Sequence, residues 1–175
     1  MTQTLLQPVV AGSSEAGAAR VNLAHLDALS EFITLDGQPA LLVHTYCEAP
    51  SYLPSGADGE GIAAVDDVAR AALVYLDHWT ATGQPSSLQR ARAALNFVLA
   101  MQMPGGGFYN FIHDRAGKIN REGTTSRLPL DWWDCRALWA LARGYAVFRW
   151  TEPGYARRLV APSRLIVPAR SWTKL

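Results

Sequence analysis

Two adjacent aspartates, Asp66 and Asp67, open an apolar helical stripe, a place where carboxylates either hold a helix end or move protons. On a helix of roughly 3.6 residues per turn their side chains diverge by about 100°. One can therefore serve the structure, as an N-cap or as the ion-pair partner of Arg70, while the other faces a cleft as acid, base or metal ligand. Glu48, Asp58 and Glu60 lie just upstream in a Gly-rich segment. Loop acids are ordinarily solvated. Folded over the helix end, however, Glu60 would stand across a ligand from Asp66 or Asp67, and glycosidase chemistry needs two carboxyls roughly 5 to 10 Å apart.

Around these acids stand other side chains able to line a cleft. His44 and Tyr46 alternate with Val43 and Thr45, so on a strand they share a face. Trp132, Trp133 and Asp134 begin another helical stretch, with Trp139 further inside, and Phe108, Tyr109 and Phe111 precede it. Some of these rings belong to a core, but their clustering near one helix start favours a binding surface suited to the apolar faces of sugar rings. Cys47 and Cys135 form no CxxC pair, and no His or Cys has metal-ligand spacing, so neither a zinc site nor a disulfide framework is expected. Gly105-Gly106-Gly107 lacks the Gly-Lys-Ser/Thr ending of a phosphate loop; it is expected to supply positive φ or a close backbone approach.

Four stretches have the periodicity to position these groups: Asn22 to Thr34, Val65 to Thr80, Ser87 to Met101 and Asp131 to Phe148. A tight turn, Ala81 to Ser86, joins the second to the third. The connections before the second and fourth are long, aromatic and Gly-rich, with strand-like runs at Leu41 to Tyr46 and Phe108 to Ile112 and a turn at Asp114 to Lys118. Short turns then lie at one end of the helices and long loops at the other, so the second and fourth helices point the same way with the loops at their N-termini. A weak repeat agrees: Asp66-Asp67-Val68-Ala69-Arg70-Ala71 aligns with Trp132-Trp133-Asp134-Cys135-Arg136-Ala137 at an offset of 66 residues. Residues 1–20 read as a flexible leader, 21–150 as the folded domain, and 151–175 as an irregular Arg- and Pro-rich tail.

Composition sets outer bounds. With 175 residues, 49% of them apolar, the chain can bury a core, and wholesale disorder is not expected. A net charge of +1 gives no field for nucleic acid, and no apolar run reaches the roughly 20 residues of a spanning helix. The N-terminus makes a poor signal peptide, so the expected compartment is the cytoplasm, with export left open should a natural N-terminus be missing.

The two helix starts, with Gly106-Gly107-Phe108-Tyr109-Asn110-Phe111 between them, resemble the (α/α) toroids of the six-hairpin glycosidase-like superfamily over roughly Asp36 to Phe148. The resemblance implies an all-α fold: antiparallel helical hairpins of an incomplete (α/α)6 toroid, with small β-hairpins decorating the loops. A full ring at this offset would need about 400 residues. It also implies a glycoside hydrolase-like or lyase-like protein acting on an oligosaccharide. Asp66, Asp67 and Glu60 are then the catalytic candidates, and Arg70, His44, Tyr46, Tyr109, Asn110, Trp132, Trp133, Asp134 and Arg136 the substrate contacts. No cofactor or metal is expected. The alternative is a non-catalytic carbohydrate-binding or scaffolding remnant with an open helix face, through which a homo-oligomer would form. A lower-ranked alternative is a terpene cyclase-like toroid, although Ala64-Val65-Asp66-Asp67 lacks the first aspartate of that family's acid motif.

Overall fold

The computed structural model of the protein describes residues 21–127 and 131–166, with side chains as far as 161. The expected leader and the end of the expected tail lie outside the described residues. The elements run α1 (Ala24–Ala28), β1 (Ser30–Leu35), β2 (Gln38–Val43), β3 (Tyr46–Glu48), β4 (Leu53–Ser55), β5 (Ala63–Ala64), α2 (Val65–Thr82), α3 (Pro85–Ala100), β6 (Phe111–Ile112), α4 (Thr124–Arg127), α5 (Trp132–Phe148) and α6 (Pro153–Ile166).

The all-α expectation is overturned. The strands pair into three two-stranded antiparallel sheets, β1-β2, β3-β4 and β5-β6, so the chain is a mixed α/β protein. The largest departure lies at Asn22 to Thr34, where the three-residue spacing of Leu23, Leu26, Leu29 and Phe32 suggests one helix. Only Ala24–Ala28 is helical, and the chain then enters β1. Asp36 and Gly37 both take positive φ, 49° and 71°, forming a two-residue hairpin turn between Leu35 and Gln38. Once that turn pairs β1 with β2, the β-branched run Ile33-Thr34 serves a ladder better than a helix end.

The three long helices follow their apolar stripes. α2 stops at Gly83, whose left-handed φ of 68° lets its N–H return to Trp79 O at 2.7 Å. Pro85 then opens α3, at a position where its missing N–H costs nothing. α2 packs against both α3 and α5, α3 against β2, and α5 against α6, around Leu41, Leu42, Tyr75, Leu76, Leu95, Phe97 and Leu141. The expected irregular tail is corrected in part. α6 is helical because Tyr155, Ala156 and Leu159 make a buried stripe, with Tyr155 edge-on to Phe148 at 5.1 Å.

α2 and α5 lie side by side and parallel: Asp66 meets Arg136 near their N-termini and Asp77 meets Arg143 further along. The two long loops consequently share one end of the molecule, where β5-β6 ties them together. No helix among the described residues is long and apolar enough to cross a membrane. Cys47 and Cys135 are both free, Cys47 half-buried and Cys135 exposed on α5.

Candidate functional site

A cleft of about 490 Å³ opens where α2 and α5 begin. Its floor depends on Asn110. The N-cap residue of α2, Ala64, has no side-chain acceptor to offer; instead Val65 N–H donates to Asn110 O at 2.6 Å and Asp66 N–H to Asn110 Oδ1 at 3.4 Å. The cap expected from Asp66 or Asp67 is thus supplied 44 residues later in the chain, which frees both acids for other contacts.

Asn110 is held from behind by Ser126 and Asn120. Ser126 Oγ accepts from Asn110 N (3.2 Å) and Phe111 N (3.0 Å) and donates to Asn120 O (2.7 Å). Asn120 Nδ2 reaches across to donate to Gly59 O and Glu60 O at 2.8 and 2.9 Å, while its Oδ1 accepts from Gly123 N at 2.8 Å. One buried polar network therefore fixes both loops, and with them the backbone of Glu60.

The three candidate acids occupy different surroundings. Asp66 is buried and its oxygens are divided between two cations: Arg70 Nη2 donates to Oδ2 at 2.8 Å, and Arg136 Nη1 donates to Oδ1. Asp67 is more open and accepts from the same Arg70 nitrogen. Glu60 Oε2 accepts from the Tyr46 hydroxyl. That bond, with smaller contributions from burial and from the charges of Glu60 and Asp67, pushes the Tyr46 phenol up to about 12. Tyr46 accordingly stays protonated and donates, and Asp67 lies close enough for its charge to act on the phenol.

Asp66, Asp67, Glu60, Arg70, Tyr46, Asn110, Trp132 and Trp133 all line the cleft. The Trp132 ring is half-exposed, lies under the Arg136 guanidinium at 4.8 Å, and sits edge-on to Trp133 at 5.5 Å. Arg136 serves the rim through these contacts, and its guanidinium is not itself part of the lining.

Other expected contacts fall elsewhere. His44 is buried behind the cleft, 3.7 Å from Glu31, because the chain bends at Thr45 and breaks the strand alternation that would have put it beside Tyr46. Asp134 is buried and accepts from Phe108 N at 2.7 Å, while Trp133 Nε1 donates to Phe108 O at 2.8 Å, so the pair clamps the Phe108 main chain. A side chain at Gly107 would crowd Asp134 Oδ2, which accounts for a glycine there. Tyr109 packs on the core under Arg121, its ring 5.0 Å from that guanidinium.

Four polar lining residues had no functional reading in the sequence: Thr45, Thr124, Thr125 and Asp131. Thr45 Oγ1 is buried without a hydrogen-bond partner among the described residues. Asp131 was legible only as a helix start, and it does accept from Trp132 N at 2.7 Å. The Thr124-Thr125 pair carried no signal, since α4 forms only around the Asn120–Gly123 turn. Among the described residues no group of three or more His, Cys, Asp or Glu side chains is placed to hold a metal. Compared with known proteins, the chain matches no family model and no curated protein.

Proposed function

We propose that this cleft binds a carbohydrate and acts on it by carboxylate acid/base chemistry of the glycosidase or lyase type, with Glu60 and Asp67 as the reacting pair. The observation carrying the reading is one opening that joins two separate carboxylates, an unpartnered threonine hydroxyl and a half-exposed indole. Sugars present hydroxyls and apolar ring faces together, and such a lining suits both. Asp66 is a positioning residue here. Both its oxygens are engaged by guanidinium groups, so it holds the two helix starts together and gives a terpene cyclase-type acid no support.

A second reading, binding without turnover, is favoured by one feature. Each cleft acid already accepts from a neighbour within the chain: Asp66 from two arginines, Asp67 from Arg70 and Glu60 from Tyr46. An oligosaccharide panel, followed by calorimetry and by product analysis, separates the two. Turnover lost in both Asp67→Asn and Glu60→Gln, with binding kept within about threefold, supports the catalytic reading. Binding that weakens at least tenfold in Trp132→Ala, with no product from the wild type, supports the binding module. Sugar binding indifferent to all three substitutions removes the cleft from the argument.

A further inference from the structure

We infer that the cavity between the β1-β2 hairpin, α3 and α6 is a second ligand site, for a small ring-bearing organic acid whose carboxylate or phosphate sits on Arg158. The inference is independent of the carbohydrate reading: this cavity, of about 290 Å³, shares no lining residue with the cleft. It forms because α3 is tied on two sides. Asn96 Nδ2 donates to Pro39 O at 2.8 Å and holds the hairpin, while the Tyr155 hydroxyl donates to Arg92 O at 3.2 Å and holds α6. The space left between hairpin and α6 is walled by Phe32, Pro39 and Tyr155.

Three groups here are left short of partners. Arg92 and Arg158 both line the cavity, their guanidinium carbons 4.3 and 5.9 Å from the centre of the Tyr155 ring, and no acid lines it. Glu152 neutralises Arg92, whereas Arg158 has no carboxylate partner among the described residues. Asn96 is 8% exposed, yet its Oδ1 accepts from nothing among the described residues. Phe32, which the core does not absorb, leaves 48% of its surface uncovered at the opening.

These three groups specify the ligand. A guanidinium without a counter-charge takes an oxyanion, and its planar fork holds a carboxylate or a phosphate equally well. A buried amide oxygen without a donor is costly, and an N–H or O–H on the ligand removes that cost. Phe32, Pro39 and Tyr155 give an apolar ring its walls. One small molecule carrying an acid group, a donor and a ring meets all three. A cationic ligand does not, because Arg92 and Arg158 leave a net positive charge at the cavity after Glu152 is counted.

Titration of the full chain with p-hydroxyphenylacetate and with p-hydroxyphenyl phosphate tests this, read by calorimetry and by amide NMR shifts. At least one of the two is expected to bind, with the largest shifts at Gln38, Gln89, Arg92 and Asn96, and the tighter one identifies the oxyanion. Tyramine, the same phenol bearing an ammonium in place of the acid, is expected to bind at least tenfold more weakly. Arg158 is exposed on α6, so Arg158→Gln keeps the fold, which circular dichroism checks. It is expected to weaken binding of the acid at least tenfold, and Phe32→Ala at least threefold. Binding of neither acid at millimolar concentration overturns the proposal. So does tyramine binding as tightly as the acids, an Arg158→Gln protein that binds like the wild type, or shifts centred on the cleft between α2 and α5.

Discussion

Arg136 Nη1 donates to Asp66 Oδ1 across 70 residues of chain, joining the second turn of α5 to the first turn of α2. Arg70 holds the other oxygen of the same buried carboxylate. The pair aligns the mouth of the cleft, and its two aspartates are expected to answer mutation differently. Asp66→Asn removes the buried charge between the two guanidinium groups, leaving Arg70 with Asp67 alone and Arg136 without its carboxylate, a loss of about 2 to 3 kcal/mol given that the arginines themselves are partly exposed. Asp67→Asn is expected to cost under about 1 kcal/mol, as its pair with Arg70 is open to solvent. Urea unfolding of both variants measures this, and a larger loss in Asp67→Asn would reverse the assignment of roles.

Ser126 is expected to matter for stability more than its size suggests. Its fully buried hydroxyl serves Asn110 N, Phe111 N and Asn120 O together. Ser126→Ala strands Phe111 N and Asn120 O, while Asn110 N keeps the Ser126 carbonyl at 2.9 Å, and is expected to cost about 2 kcal/mol. It should also loosen Glu60 through Asn120, so hydrogen exchange at residues 59–62 should rise along with the lower urea midpoint. A midpoint within the error of the wild type would show that water replaces the hydroxyl without cost.

Gly61 and Gly59 make a paired test of the loop. Gly61 has φ 145°, and a Cβ there would run into the Ile112 carbonyl, which accepts from Ile62 N at 2.9 Å. Gly61→Ala is expected to lose about 3 kcal/mol or more and to part β5 from β6. Gly59 has φ 79° with open space around it, so Gly59→Ala bears only the left-handed penalty of about 1 kcal/mol. Thermal unfolding of the two variants ranks them, and equal losses would count against the close approach at Gly61.

His44 is expected to make stability pH-dependent. Burial lowers its pKa below the ordinary 6.5, and Arg115 adds to the shift, against the opposing pull of Glu31. The unfolded chain therefore binds the proton more readily, and protonation favours unfolding. Stability from this residue is fully present above 6.5 and is lost as pH falls through 6.5 towards the lower folded value. Urea midpoints at pH 7.5 and 5.5 should differ more in the wild type than in His44→Gln. Identical pH slopes would remove His44 as the cause.

The helices and the site were legible to different degrees, for identifiable reasons. α2, α3 and α5 stood out because each carries several turns of apolar stripe, and burial of that stripe drives helix formation. β1 does not show in the apolar spacing, although Asp36-Gly37 is a strong hairpin signal. A three-residue spacing of leucines is shared by a short helix and by a strand that follows it, and only pairing with β2 decides between them. α6 was hidden by its prolines, and its Tyr155 and Leu159 stripe has meaning only against Phe148.

The acids divide along the same line. By itself the sequence determined that two carboxylates open α2, that an arginine follows four residues on and that two tryptophans open a later helix, since these facts depend only on spacing. It could not say which aspartate is structural. That was decided when Asn110 took the capping role, and when parallel packing brought Arg136 onto Asp66 and left Asp67 in the opening. Local spacing fixes the direction of a side chain on its own helix, but the partner that neutralises it comes from whichever segment the fold carries there.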